Sequence, residues 1–158
     1  MEGREYSFVS RESFLRRAEQ GEFLEWAEYS GNLYGTPLAA VESRLAAGID
    51  VILEIELQGA RQVRERMPGA VLIFIAPPSV DELARRLSAR NTESEEAITQ
   101  RLRHAQLEMA GLSGPADEGS GCWNHPEFDY VIVNDDVEEA GRRLRDVIEE
   151  IRSQDSTR

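Results

Sequence analysis

The sequence predicts an α/β fold built on a parallel sheet, with a small antiparallel patch near the N-terminus. Two observations predict the sheet. Three apolar runs, VILEIE (51–56), VLIFIA (71–76) and DYVIVN (129–134), are each followed by a stretch with helical periodicity. Strands that alternate with helices lie parallel, because the crossover helix returns the chain to the same end of the sheet. A third observation sets the antiparallel patch apart: FLEWAEY (23–29) alternates in polarity, and Ser30-Gly31-Asn32 supplies turn chemistry before Leu33-Tyr34-Gly35.

The elements follow in chain order. Residues 4–9 alternate and read as a strand. Ser10 can cap a short helix to Gln20, and Gly21 can end it. Pro37 can open a helix to Ala47, stopped by Gly48. Gln58-Gly59 leads into a helix that ends before Pro68. The run at 71–76 has the continuous apolar character of a strand covered on both faces. Ser79 caps the next helix, with Asp81 and Glu82 favouring its positive end. Thr92 and Glu95 have capping-box spacing for a helix to about Met109. Residues 111–126 are rich in glycine and turn formers and read as a surface loop. A last amphipathic helix covers 137–152.

Composition narrows the function. At 158 residues and 41% hydrophobic, the chain has the material for one packed domain. No apolar run reaches membrane-spanning length, and the polar N-terminus is no signal peptide. A single cysteine, Cys122, excludes an internal disulfide and fits a reducing, cytoplasmic setting. The net charge of −12 argues against nucleic acid as a partner. All 18 basic residues are arginine. Cys122 and His125 form a C-x-x-H, but two ligands without a second pair do not make a zinc site, so no metal site is expected. His104 reads as a helix-surface residue.

FLEWAEYSGNLYGT (23–36), EIELQG (54–59), IFIAPPS (73–79), RLSARNTESEEAITQRL (86–102) and VIVNDD (131–136) together resemble guanylate kinase, in order and spacing. The resemblance implies a P-loop nucleoside-monophosphate-kinase sheet, a GMP-binding subdomain at 4–36, a core at 37–84 and 111–152, and a helical lid at 85–110, all within one domain spanning 1–158. It implies phosphorylation of GMP by ATP with Mg2+. Glu25 matches the guanine reader; a carboxylate accepts side by side the two donors that guanine offers at N1 and N2. Tyr6 and Tyr34 match tyrosines that hold the GMP phosphate, and Thr36 a hydroxyl residue near the base. Glu54 and Glu56 stand where the family has Asp-x-Asp; each is one methylene longer. Arg90 and Arg101 match lid arginines that neutralise the migrating phosphoryl group, a task for planar guanidinium forks. Asn91 replaces a glycine there. Asn134 and Asp135 match the pair beside the adenine of ATP.

The family's phosphate loop, G-x-x-x-x-G-K-[ST], has no counterpart in these residues. The resemblance therefore implies a chain that lacks the first central strand and is inactive alone. Open strand edges would then invite self-association or a strand-donating partner. The alternative is a noncatalytic guanylate-kinase-like module that binds proteins.

Overall fold

A computed structural model describes residues 7–29, 31–89, 95–109, 111 and 125–155. The chain divides into two compact units, Met1–Ala70 and Val71–Arg158.

The first unit begins with α1 (Arg11–Glu19), whose N-terminus is capped by the Ser10 hydroxyl accepting from the Ser13 amide at 3.2 Å. It stops at Gly21, φ +72°. There the Gly21 amide donates to Ala18 and the Glu22 amide to Arg17, each at 3.0 Å. This is the paired C-terminal closure that requires a left-handed residue, which glycine adopts without strain. The hairpin follows: β1 (Phe23–Tyr29) pairs antiparallel with β2 (Asn32–Pro37), Glu25 opposite Thr36 and Ala27 opposite Tyr34. Next come α2 (Leu38–Ala46), ended at Gly48 by the same closure, and α3 (Leu57–Arg66).

The core of this unit joins α1, the hairpin, α2 and α3. Phe14 stacks on Phe23 at 4.4 Å between ring centroids and meets Trp26 edge-on at 6.1 Å. Leu24, Val41, Ala60 and Val63 are also buried in this unit. Aromatic pairs of this geometry add to simple area burial. Gly35 is obligatory in this packing. A Cβ there would lie 2.9 Å from the Trp26 Cβ and 3.1 Å from the Phe14 ring.

Two expected strands are corrected. Residues 7–9 are not in a strand, and Phe8 is 77% exposed; residues 4–6 lie outside the described region. Alternation supplies two faces but no neighbour, and a strand exists only with a hydrogen-bonded neighbour. The run 51–56 fails for the same reason. Its burial does alternate, with Ile52, Glu54 and Glu56 exposed and Val51, Leu53 and Ile55 half-buried, yet no ladder forms along it among the described residues.

The second unit holds β3 (Ile73–Ala76), α4 (Val80–Ala89), α5 (Glu95–Met109), β4 (Tyr130–Val133) and α6 (Val137–Asp155). The strands pair in parallel, Ile73 with Tyr130 through Ala76 with Val133. Two paired strands are thus what the described residues contain of the expected parallel sheet. The Asp129 carboxylate accepts from the Leu72 amide at 2.7 Å, and the Leu72 carbonyl accepts from the Asp129 amide at 2.8 Å, fixing the register at the strand entrance. Leu72, Ala76, Ile132 and Ala140 are buried, but Ile75 is 46% exposed, so the expected cover on both faces of β3 is incomplete. The Ser79 hydroxyl caps α4, accepting from the Glu82 amide. Asp136 caps α6, accepting from the Glu138 and Glu139 amides at 3.0 and 2.9 Å. That helix runs three residues past its expected end. No helix among the described residues is long and apolar enough to cross a membrane.

Candidate functional site

In the first unit the hairpin presents one acid in an unusual setting. Glu25 is only 7% exposed, though it sits in a strand beside solvent-facing Glu28. A buried carboxylate must be hydrogen-bonded to be tolerated. One oxygen, Oε1, accepts the Thr36 hydroxyl at 2.6 Å across the ladder. The other, Oε2, lies against Gly59 of α3, 3.0 Å from where a Cβ would stand. An oxygen has several lone-pair directions, so this arrangement orients the carboxylate without exhausting its acceptor capacity. Tyr34 lies two residues before Thr36 on the same strand, hence on the same face, and is 46% exposed. Glu54 and Glu56 are exposed, and Glu56 occupies the N-cap position of α3 without bonding to it through its side chain. Tyr6 lies outside the described residues.

α3 does more than cover the hairpin. The Gln62 side chain accepts from the Trp26 amide at 3.2 Å and donates to the Trp26 carbonyl at 2.8 Å. Arg66 donates to the Phe23 and Gly21 carbonyls. Gly59, Gln62, Val63 and Arg66 recur at helical spacing, so one face of α3 meets β1. That spacing is present in the sequence, but nothing local marks Gln62 and Arg66 as partners of the hairpin main chain.

In the second unit, the Asn134 amide donates to Ala76 at 2.7 Å, at the end of the β3–β4 ladder. Arg86 of α4 holds the main chain here. Its Nη1 donates to the Asn134 carbonyl at 2.7 Å and its Nη2 to the Asp135 carbonyl at 3.0 Å, while Nε donates to Glu82 at 2.6 Å. Hydrogen bonds from Arg85 and Arg86 hold the Glu82 carboxyl down at about 2. Arg101 lies half-buried on α5. Arg90 and Cys122 lie outside the described residues. His125 is buried in an aromatic cluster, stacked on Phe74 at 5.4 Å and edge-on to Phe128 at 5.0 Å. Its Nδ1 accepts from the Glu127 amide at 3.1 Å, so that nitrogen is occupied by the fold.

The model of the guanylate kinase family matches residues 1–151. The chain belongs to the guanylate kinase family. It is 50% identical to a guanylate kinase of Rubrobacter xylanophilus over 149 residues, which is 94% of this chain and 71% of that protein. It is 48% identical to those of Desulfitobacterium hafniense and Streptococcus thermophilus, the matches taking in 94% of this chain and 68% and 65% of theirs. A solved guanylate kinase from Anaplasma phagocytophilum shares the fold at a TM-score of 0.68 and 36% identity, over 95% of this chain and 66% of that one. The chain thus spans about two thirds of the length of these relatives.

Guanylate kinases phosphorylate GMP and use ATP and Mg2+. A P-loop kinase cradles phosphates with a glycine-rich loop and a lysine, and these 158 residues include neither that loop nor any lysine. Among the described residues no three His, Cys, Asp or Glu side chains converge as metal donors. The phosphate cradle that ATP requires is therefore not among these residues, whereas Mg2+ held largely through water needs no such three-donor cluster.

Proposed function

We propose that this chain supplies the GMP-recognising part of a guanylate kinase, for ATP-dependent conversion of GMP to GDP. One observation carries the reading: Glu25 is buried with one carboxylate oxygen oriented by Thr36 and the other set against Gly59. Such a carboxylate accepts the N1 and N2 donors of guanine together. Adenine presents an acceptor at N1 and would leave the acid unpaired, the kind of mismatch that discriminates most strongly. Tyr34, with Tyr6, serves the GMP phosphate; Glu54 and Glu56 serve the guanine amino group and water around Mg2+. Arg90 and Arg101, in a lid at 85–110, neutralise the transferred phosphoryl group, and Asn134 and Asp135 flank the adenine of ATP. Exposed Ile52 and Ile75 are consistent with self-association. The 158 residues by themselves turn over no GMP.

Calorimetric titration of the purified chain with GMP and AMP tests the central claim. GMP binds and AMP does not. In Glu25→Gln an amide N–H replaces one acceptor and faces a guanine donor, so GMP affinity falls on the order of 100-fold. Equal GMP affinity in the wild type and this variant overturns the reading.

A further inference from the structure

We infer that Gln62 is a positioning residue for guanine selectivity, acting on Glu25 through the main chain of β1. The inference rests on Glu25 as the guanine reader and extends it. Trp26, the residue after Glu25, has its amide and its carbonyl both bonded by the Gln62 side chain, at 3.2 and 2.8 Å. A primary amide carries one acceptor and two donors close together, so it satisfies a peptide unit as a neighbouring strand would. The same amide nitrogen lies 3.4 Å from the Gln58 carbonyl one turn earlier in α3, which steadies the side chain on its own helix. Two residues before Glu25, the Phe23 carbonyl accepts from Arg66. The main chain is thereby tied to α3 on both sides of the reader.

The head of Glu25 meets that same helix. Its Oε2 lies against Gly59, one turn before Gln62, while its Oε1 is held by Thr36 on the hairpin. The carboxylate therefore depends on the relative placement of β1 and α3, and Gln62 sets that placement at the adjacent residue. Two parallel hydrogen bonds to a flat base tolerate little displacement, since misplacement by an ångström can cost orders of magnitude. Without the Gln62 amide, β1 loses its tie to α3 on the Trp26 side of the reader, and the pair of acceptors loses its alignment.

The ratio of GMP to IMP affinity isolates the effect, because IMP lacks only the 2-amino donor. A general loss of folded protein lowers both affinities together and leaves the ratio unchanged. Titrating the 158-residue chain with both nucleotides, the wild type prefers GMP and Glu25→Gln lowers the preference. Gln62→Met, similar in size and without hydrogen bonds to Trp26, lowers the ratio roughly fivefold, the scale of one or two hydrogen bonds. Gln62→Glu keeps the acceptor for the Trp26 amide but turns a carboxylate oxygen toward the Trp26 carbonyl, so it lowers the ratio as well. A wild-type ratio in Gln62→Met overturns the inference while leaving Glu25 as the reader. A preference undiminished in Glu25→Gln, or a wild type that binds neither nucleotide, overturns both. Should Gln62→Met fail to fold, an unchanged ratio in Gln62→Glu is the refuting result.

Discussion

Replacing Gly59 with alanine sets helix stability against guanine affinity. The added Cβ would lie 3.0 Å from Glu25 Oε2, 3.3 Å from the Ile55 Cβ and 3.6 Å from Glu25 Cδ. The first two contacts are tighter than ordinary packing, and something must give by a few tenths of an ångström. Ile55 presents a Cβ, fixed to its main chain. The carboxylate is the movable partner, but its other oxygen is held at 2.6 Å by Thr36, so retreat means rotating or stretching that bond. If a full ångström costs on the order of 100-fold, a few tenths cost roughly three- to tenfold in GMP affinity. The helix gains in the opposite sense, because alanine is favoured over glycine by up to about 1 kcal/mol inside a helix. The expected result is a Gly59→Ala chain that melts within a few degrees of the wild type and binds GMP several-fold more weakly. Calorimetry with GMP and a thermal melt on one sample give both quantities. Wild-type GMP affinity in this variant would refute the reasoning, since it would mean that the carboxylate has room Gly59 does not provide. A large drop in melting temperature would refute it differently, by showing that the helix moves and the acid does not.

Two further substitutions probe the scaffold. Gly35→Ala places a Cβ 2.9 Å from the Trp26 Cβ and 3.0 Å from the Glu25 carbonyl, both on a rigid strand, and is expected to destabilise the first unit by about 1–3 kcal/mol in a denaturant titration; an unchanged midpoint contradicts the packing described. Glu82→Gln removes a carboxylate held at about 2, against an ordinary value of 4.5. A depressed carboxyl adds stability that is complete above 4.5 and is lost as pH falls toward 2. The wild type should therefore exceed Glu82→Gln in stability at neutral pH, and the gap should close on acidification over that window. A gap that persists undiminished to pH 2 would be inconsistent with the Arg85 and Arg86 contacts as its source.

What the sequence disclosed depended on how local the cause was. The hairpin was legible because polarity alternation and turn residues sit side by side in 23–36, and the ends of α1 and α2 were legible because Gly21 and Gly48 stand where a left-handed residue is needed. Glu25 and Thr36 were legible through the family resemblance, and they prove to be hydrogen-bonded neighbours. The run 51–56 misled, because its alternation is real while pairing is a property of two segments. Gln62 and Arg66 escaped for a related reason. A polar residue on a helix reads as solvated until the main-chain groups it meets are known, and those lie 36 and 43 residues earlier in the chain. Asn134 and Asp135 were legible as a pair through the resemblance, but Arg86, which gathers their carbonyls, lies 48 and 49 residues away in the chain.

Arg86 also bears on the exclusive use of arginine in this chain. Three of its nitrogens serve three different acceptors on two elements, Glu82 on α4 and two successive peptide oxygens beyond β4. A lysine at this place would conserve the positive charge yet could not span those acceptors with its compact head, so the turn after β4 would lose its mooring while every charge count stayed the same. Electrostatic conservation and architectural conservation part company at such a residue. Relatives that carry lysine here must therefore fasten that turn by other means.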